Sequence, residues 1–450
     1  MPPAAQTGAA PAGTSCSSGS CELADVFQLY GEAYRRSHRL SPHQRHVMRD
    51  ITRCRTAALG GHRAWCDGCG FERYNYHSCR NRHCPKCQSV DRAAWVEARS
   101  SELLPVPYFH HVFTLPHELN PLVQCSEPNQ RALLKLLFDA TAATLLKFGR
   151  GELGGKVGFT LVLHTWDQQL RPHLHVHCIM ASGALGDEGQ HWIAGGAKFL
   201  FPVCGLSEVF RAKYLDGLAE LLAEGALDIP PQLAALGTPG CRRRLLRQWR
   251  TKPWVAYSKP PFAGPQKLLD YLGRYTHRVA ISNHRLLGCD DGQVRFSYRD
   301  RKEGDRLKTA TLPAAEFIGR FLEHVLPARF LRIRHYGFLA NRAKQTQLAQ
   351  CRRLLGVSPS AHRPRPVLGH FMKVRQFVMR LATMLGPHIG GNWLPQRGGS
   401  AHVVPWRVRM CRWMGLAPHT RSASGLSRTA MAADRAPSPA VPLLSPHPGA

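Results

Sequence analysis

In several stretches of the chain, apolar residues recur every three to four positions, the spacing of one helix face. Ser41 and Pro42 open one of these stretches with residues suited to a helix cap and a first helical turn. The predicted helices cover residues 24–40, 41–59, 89–104, 129–149, 206–250, 265–277 and most of 314–356.

Strands are predicted where apolar side chains are consecutive or alternate with polar ones. A hairpin is also expected, because the dipeptide Asp291-Gly292 interrupts such a pattern and suits a tight turn between two strands. The predicted strands cover residues 108–115, 158–166, 173–181 and 254–259, and the hairpin covers 279–300. Helices and strands are therefore mixed along the chain.

Three stretches differ in composition from the rest of the chain, and one of them, residues 61–90, has too few apolar residues to build its own core. Residues 1–21 are mostly small, residues 61–90 are rich in Gly, Cys and Arg, and the chain becomes rich in Pro, Gly and Arg after residue 357. The first stretch and the C-terminal tail are predicted to be disordered. The opening residues also have neither the basic start nor the apolar centre of a secretory signal, so we expect a chain that stays in the cytoplasm.

Net charge indicates the class of partner. Sixty Lys and Arg residues against thirty Asp and Glu residues give a formal charge of +30, and the isoelectric point is near 10.2. Such an excess is the electrostatic signature of a nucleic-acid binder. A membrane surface is the competing polyanion, but no run of about 18 apolar residues is present and the basic residues are spread along the chain. We therefore expect DNA or RNA as a partner and no membrane.

Six of the fifteen cysteines fall between residues 54 and 87. Cys66-x-x-Cys69 and Cys84-x-x-Cys87 are separated by fourteen residues, and two such pairs form a four-thiolate site for structural Zn²⁺. Cys79 and three histidines leave the ligand set open, and Cys54 is a candidate for a second site. A redox role would explain one CxxC pair but not two. Zinc is expected to stabilise residues 61–90, which have no hydrophobic core of their own.

The sequence "RPHLHVHCIM" places three histidines at alternating positions, His173, His175 and His177. In an extended segment these side chains share one face. If residues 167–172 turn the chain, His164 lies roughly opposite His175 on the same face. A cluster of imidazoles favours a metal site over histidines that are merely structural.

Two enzyme chemistries use the pattern His-apolar-His. Histidine-triad nucleotide hydrolases match it formally, but they account for neither the cysteine pairs nor the charge. HUH endonucleases hold a divalent ion with two strand histidines and cleave single-stranded DNA with a tyrosine on a nearby helix. Tyr271 and Tyr275 are spaced i, i+4 in the predicted helix 265–277, where they share one side. Core packing is the competing interpretation of this tyrosine pair.

Several motifs follow one another in an order that resembles the rolling-circle transposases of the IS-ninety-one type, which are two-tyrosine HUH enzymes with an N-terminal zinc-binding domain. The match spans residues 24 to about 356. In chain order the motifs are "CRTAALGGH", the first CxxC, "SCRNRHCPKCQ", "LLPVPYFHHVFTLP", "LHTW", "HLHVHC", "YLGRYTHRVAISN" and "RIRHYGFLANR". Two segments depart from the expected pattern: "SYRDRKEGD" is more basic, and residues after 357 have no counterpart.

The resemblance implies an α+β fold, with an HUH-endonuclease-like antiparallel sheet and packed helices. A helical segment and a small zinc ribbon precede this sheet, and a basic helical to irregular region follows it. The expected organisation is a disordered leader (1–21), a zinc-binding and DNA-binding domain (22–103), the catalytic domain (104–310), a basic helical extension (311–356) and a Pro/Arg-rich to disordered region (357–450).

The resemblance also implies a set of roles. His175 and His177, with His164 as the third ligand, would bind Mg²⁺ or Mn²⁺, while Tyr271 and Tyr275 would cleave and rejoin single-stranded or hairpin DNA ends through a 5′-phosphotyrosine. Zn²⁺ would bind Cys66, Cys69, Cys84 and Cys87, with Cys79 as a further candidate. The residues expected to contact DNA are Arg80, Arg82, Lys86, Arg274, Arg278, Arg332 and Arg334.

Two alternatives remain open at this point. A plasmid replication initiator or a conjugative relaxase would use the same chemistry, although the order of the motifs favours the transposase. A non-catalytic zinc protein that binds DNA would carry the same histidines and tyrosines as structural residues.

Overall fold

The computed structural model describes residues 21–65, 72–259, 279–300 and 303–357, together with Leu269 and Gly273. Several predicted site residues lie outside the described residues, namely Cys66, Cys69, Tyr271, Arg274, Tyr275 and Arg278. The predicted disordered leader and C-terminal region lie outside them too, apart from Cys21 and Val357. Within the described part, none of the helices combines the length and the apolar character that a membrane crossing requires.

Helices and antiparallel strands are mixed along the chain, which confirms the predicted α+β class. The helices are α1 (Leu23–Ser37), α2 (Pro42–Arg53), α3 (Gln88–Ser100), α4 (Asn120–Gln124), α5 (Glu127–Leu153), α6 (Val203–Ala223), α7 (Pro239–Thr251), α8 (Ala314–Glu323) and α9 (Lys344–Leu354). The strands are β1 (Gly61–Trp65), β2 (Glu72–Tyr76), β3 (Tyr108–Thr114), β4 (Gly155–Trp166), β5 (Pro172–Gly186), β6 (Trp192–Ala194), β7 (Ala256–Lys259), β8 (Leu286–Asp290), β9 (Gln293–Asp300), β10 (Arg306–Pro313) and β11 (Ile333–Gly337).

The main sheet has the strand order β11-β4-β5-β3-β7, and β6 adds to the far end of β5. All of its pairings are antiparallel. One face packs against α5 and α6 through a large apolar cluster, to which β5 contributes the residues that alternate with its histidines. Those residues are Leu174, Val176, Cys178 and Met180, as the alternation predicts. The histidines therefore lie on the other face.

The second core joins the N-terminal helices to a three-stranded sheet of order β10-β9-β8. It contains Val26 and Phe27 of α1, Phe296 of β9 and Phe317 and Phe321 of α8. Ser41 caps α2 as predicted, since its side chain accepts a hydrogen bond from the backbone N–H of Gln44. This core also includes Leu170 of the β4–β5 turn, so it packs against the end of the main sheet that carries His164.

The hairpin at Asp291-Gly292 forms as predicted, with Asp290 opposite Gln293. Both turn residues have positive φ, 50° for Asp291 and 71° for Gly292, which matches the twist of the flanking strands. The stretch 314–356 was predicted to be helical apart from one basic patch. That patch forms β11, which pairs with β4. Residues 333–337, which lie beyond the expected catalytic domain (104–310), are thereby part of the main sheet.

Candidate metal centres

Three histidines meet on the face of the main sheet opposite α5 and α6. His175 and His177 alternate along β5, and His164 lies directly opposite His175 on β4. This pairing follows from the turn at residues 167–171, where Asp167 accepts hydrogen bonds from the backbone N–H groups of Gln169 and Arg171. The predicted hairpin is therefore confirmed, and it brings the three imidazoles together.

The geometry of these three histidines suits one cation. One ring nitrogen from each of His164, His175 and His177 lies within 4.8 Å of the other two. The Nε2 atoms of His175 and His177 are 3.1 Å apart. Two nitrogens about 2.1 Å from a shared ion, at right angles to each other, would be separated by about 3 Å. The three residues could therefore hold a metal ion without rearrangement of β5.

The Nδ1 atoms of His175 and His177 each have a hydrogen-bond partner. Nδ1 of His175 lies 2.8 Å from the carbonyl oxygen of His173, and Nδ1 of His177 lies 2.8 Å from Nε2 of His110 on β3. Burial, together with the nearby Lys259, lowers the pKa of His110 to about 4. Burial likewise lowers the pKa of the adjacent His111 to about 3. Both imidazoles are therefore neutral at pH 7.

The histidine face continues into a third apolar cluster that includes Ile179, two residues after His177. The same cluster contains Leu269, which is 2% exposed and lies two residues before Tyr271 in the sequence. Leu269 is thus packed against the sheet face that carries the histidines. Tyr271 and Tyr275 themselves lie outside the described residues.

Four cysteines form the second candidate centre, close to the second core. The sulfur atoms of Cys54, Cys79, Cys84 and Cys87 all lie within 4.8 Å of one another. Cys54 ends α2, and the Cys84-x-x-Cys87 turn is closed by a hydrogen bond from the backbone N–H of Cys87 to the carbonyl of Cys84. Backbone N–H groups of Cys79 and Asn81 point to the sulfurs of Cys54 and Cys79, each at 3.5 Å.

These spacings fit tetrahedral zinc. Sγ of Cys87 is 3.5 Å from Sγ of Cys54 and 3.6 Å from Sγ of Cys79. Sulfurs about 2.3 Å from a central ion lie about 3.8 Å apart. Hydrogen bonds from Cys79 and Cys84 lower the pKa of Cys87, because they stabilise its thiolate. The cluster supplies four ligands without Cys66 and Cys69, whose predicted role in the site stays a prediction.

Zinc content should depend on this described cluster. Cys54→Ser is expected to remove about one zinc ion per chain, because a structural site is built from four ligands. Cys66→Ser/Cys69→Ser should retain that ion, and Cys204→Ser, which changes an exposed cysteine outside the cluster, should match the wild type. Metal analysis of each purified chain measures the difference. Full zinc in Cys54→Ser, together with its loss from Cys66→Ser/Cys69→Ser, would contradict this ligand set.

Of the five described basic residues predicted to contact DNA, two face inward. Arg82 donates to the carbonyl oxygens of Phe330 and Pro327, and so ties the cysteine segment to the loop before β11. Arg332 is buried, and burial together with the nearby Arg82 lowers its pKa to about 9. Both positions have structural contacts that leave little of the side chain for DNA.

The other three differ in how much of each side chain is available. Lys86 pairs with Glu22 at 2.5 Å, and Arg334 stacks over the ring of Phe138 at 4.2 Å. Arg80 is exposed. Arg80 is therefore the described member of the predicted set that is most available to a phosphate.

An exposed basic face occurs instead on α7. Arg243, Arg244 and Arg247 are exposed, and none of them lies within 4 Å of a carboxylate in the part of the chain that the structure describes. By contrast, Arg242 donates hydrogen bonds to two backbone carbonyls, and Arg250 forms an ion pair with Asp216. The sequence showed this basic run, but helical spacing alone did not separate the arginines used for folding from those left in solvent.

Two further participants were not assigned to these centres from sequence, where Cys54 was a candidate only for a second metal site. Cys54 lies 25 residues before Cys79, outside both CxxC pairs, and only the fold brings it to the cluster. His110 lies in "YFHHVFTL", where two adjacent histidines must point to opposite faces of a strand. That alternation could have identified His110 from sequence. One of the two adjacent histidines must lie on the same sheet face as His177, where it can contact that side chain.

Two family models match this chain. The model described as "Transposase zinc-binding domain" matches residues 26–115, and the model described as "Putative transposase" matches residues 158–347. The first match contains the four-cysteine cluster, and the second contains the three clustered histidines.

Two relatives have similar sequences. The "Putative transposase y4qJ" of Sinorhizobium fredii is 50% identical over 343 residues, which are 76% of this chain and 85% of that protein. The "Transposase for insertion sequence element IS801" of Pseudomonas savastanoi pv. phaseolicola is 30% identical over 295 residues, 64% of this chain and 68% of that protein.

One solved structure gives a weaker similarity. The conjugative relaxase TrwC, in a metal-free complex with oriT DNA, is 15% identical, with 37% of this chain and 71% of that chain covered, and the TM-score is 0.20. A score this low supports no conclusion about the present chain.

Proposed function

Because this chain belongs to the IS-ninety-one-type transposases, we propose that it moves a rolling-circle insertion sequence by cleaving and rejoining single-stranded DNA with tyrosine nucleophiles. The observation that carries the proposal is the cluster of His164, His175 and His177 on one sheet face. A structural histidine is usually held by the core, whereas these three direct ring nitrogens toward one another. The proposal assigns this cluster to catalysis and the cysteine cluster to structure.

The three histidines would hold a divalent cation, Mg²⁺ or Mn²⁺. Bound there, the cation would act as a Lewis acid that polarises the scissile phosphate. Three imidazoles leave positions for oxygen ligands, which Mg²⁺ prefers, and phosphate oxygens and water would fill them. The apolar residues packed beneath β5 keep the histidine strand rigid, so the ligands are preorganised.

Tyr271 and Tyr275 are the proposed nucleophiles. A phenol with a pKa near 10 attacks poorly at pH 7, so a nearby cationic centre is needed to favour the phenolate. Attack forms a bond between the phenolic oxygen and phosphorus while the bond from phosphorus to the 3′ oxygen breaks. The proton lost by the phenol is balanced by the proton gained at the 3′ oxygen. The products are a 5′-phosphotyrosine and a free 3′-OH, which can later reverse the reaction.

The position of Leu269 supports this assignment of the tyrosines. Leu269 packs in one cluster with Ile179 and Tyr108, on strands next to and including the histidine strand. The tyrosines follow Leu269 by two and six residues. A short segment therefore links a fixed point on the histidine face to both proposed nucleophiles.

DNA would be held mainly through its phosphates. The chain carries +30, and the exposed Arg243, Arg244 and Arg247 of α7 have no carboxylate partner within the described residues. Cationic side chains bind phosphates independently of sequence and displace counterions as they do so. We propose that α7 and Arg80 contribute to this backbone contact and that single-stranded or hairpin element ends are the preferred DNA.

The four-cysteine cluster would bind Zn²⁺ in a structural role. Four thiolates complete a tetrahedral shell and leave no open position for a substrate. The cluster is buried among the residues of the second core, including Met48 and Ile51 of α2. Zinc there would stabilise the N-terminal region and, through Arg82, the loop before β11.

An adduct assay tests the proposed function. The full chain is incubated with single-stranded oligonucleotide carrying candidate element ends, with Mn²⁺, and separated under denaturing conditions. We expect a protein–DNA band that resists denaturation, requires the divalent ion and is absent with EDTA. Blunt duplex of the same sequence should give far less adduct, because its scissile phosphate is not exposed as a single strand. A chain that binds these DNAs but gives no adduct with any of them is a non-catalytic DNA-binding protein.

A further inference from the structure

His110 of β3 is in direct contact with a proposed metal ligand. Its Nε2 atom lies 2.8 Å from Nδ1 of His177, and the two rings are nearly parallel, with centroids 5.1 Å apart and an interplanar angle of 13°. The side chain of His110 is buried, and β3 is paired with β5 along its whole length. The contact is therefore fixed by the sheet rather than by a loop.

The direction of this hydrogen bond determines which nitrogen of His177 can bind a cation. If Nδ1–H of His177 donates to Nε2 of His110, then Nε2 of His177 carries a lone pair that points toward Nε2 of His175, 3.1 Å away. If His110 donates instead, the proton of a neutral His177 sits on Nε2 and blocks that position. Only the first arrangement is compatible with a metal bound by both His175 and His177.

His175 shows the same arrangement with a different acceptor. Its Nδ1 lies 2.8 Å from the carbonyl oxygen of His173, an atom that can only accept, so Nδ1 carries the proton and Nε2 is left for the cluster. Groups that hold the second nitrogen of a metal-binding histidine fix its tautomer and ring orientation. For His175 the acceptor is backbone, which substitution cannot remove. For His177 it is a side chain, which substitution can remove.

We propose that His110 is a positioning residue that holds His177 in its Nδ1-protonated tautomer and orients Nε2 toward the divalent cation. The inference rests on the proposed function, because it requires that His164, His175 and His177 bind that cation. It adds a residue that does not touch DNA or the ion and acts through His177.

The neighbouring His111 provides a matched control. It is on the same strand and fully buried, but its ring lies on the opposite face, stacked with Phe109 and Phe201 at centroid distances of 6.1 and 6.4 Å. Neither of its ring nitrogens has a hydrogen-bond partner within the described residues. Replacement of His111 by phenylalanine thus changes a buried imidazole without changing the surroundings of His177.

Mn²⁺ affinity of the full chain, measured by calorimetric titration without DNA, tests the inference. His110→Phe keeps a ring beside His177 but removes the acceptor, and we expect it to bind Mn²⁺ about 10- to 100-fold more weakly than the wild type. His110→Gln restores an acceptor oxygen and should recover most of the affinity. His111→Phe should bind as the wild type does. Thermal unfolding without metal confirms that the variants are folded.

Two results would overturn the inference: wild-type affinity in His110→Phe, or an equal loss in His110→Phe and His111→Phe. Should His110→Phe fail to fold, the comparison of His110→Gln with His110→Leu replaces it, with equal Mn²⁺ affinity as the contradictory result. The variant His177→Ala distinguishes a wrong role for His110 from a wrong metal site. If it loses Mn²⁺ while His110→Phe does not, the metal site stands and the role of His110 is wrong. A wild-type chain that takes up no Mn²⁺ overturns both.

Discussion

Replacement of both Tyr271 and Tyr275 by phenylalanine is expected to abolish the covalent protein–DNA adduct. Phenylalanine keeps the ring and removes only the hydroxyl, so the loss would be chemical rather than structural. Each single variant should still form one adduct but should fail to complete transposition, because two successive cleavages need two phenols. Adduct yield is measured on denaturing gels, and transposition is measured with a marked element in cells.

Peptide mapping of the trapped adduct decides which residue carries the DNA. The described tyrosines Tyr257 and Tyr298 lie outside the proposed pair and serve as matched controls, since Tyr257→Phe and Tyr298→Phe should leave the adduct unchanged. DNA attached to either of them would refute the assignment. An unchanged adduct in the double variant Tyr271→Phe/Tyr275→Phe would show that both rings merely pack in a core.

Replacement of His175 or His177 should impair DNA cleavage without impairing DNA binding. His175→Ala or His177→Ala is expected to lower metal-dependent cleavage by at least about 100-fold, since the electrostatic stabilisation of a transferring phosphoryl group contributes at least this much in comparable sites. Affinity for single-stranded DNA should change little, because the phosphate contacts are distributed over many Lys and Arg residues. Cleavage rates and fluorescence anisotropy measure the two effects on the same samples.

The control is a variant expected to show the opposite effect, with weaker DNA binding and unchanged metal binding. Arg243→Gln/Arg244→Gln/Arg247→Gln removes three exposed charges from α7, which packs on α6, and α6 covers the sheet face opposite the histidines. It should weaken DNA binding and make the affinity less sensitive to salt, while Mn²⁺ binding stays as in the wild type. If the histidine variants lose DNA binding to the same extent as cleavage, the histidines are part of the DNA-binding surface or of the fold instead.

The sequence predicted the histidine cluster because strand alternation is a local property. Residues 173–177 needed only an extended backbone to share a face, and a short turn was enough to bring His164 opposite His175. The same local rules predicted the Asp291-Gly292 hairpin and the cap of α2. Features set by neighbours in sequence were therefore accessible without a structure.

Features set by tertiary packing could not be predicted from the sequence. Cys54 joins the cysteine cluster only because α2 ends beside the Cys84-x-x-Cys87 turn. Arg82 binds carbonyl oxygens of a loop more than 240 residues away along the chain, and Arg332 is buried. The short strand β11 has a basic composition and pairs at the edge of the main sheet, so its pattern resembled a surface patch. Charge alone could not show which arginines are used by the fold.

The order of strands in the main sheet has a consequence for the stability of the face that carries the three histidines. β4, β5 and β3 are interior strands, and the short strands β11 and β7 form the two edges. Fraying of a sheet begins at its edges, where fewer bonds hold each residue, and reaches interior strands only when a larger unit opens. The backbone amides of His164, His175 and His177 should therefore belong to the most slowly exchanging part of the domain. A backbone fluctuation that moves the strands of the three histidines apart would have to open the interior of the sheet.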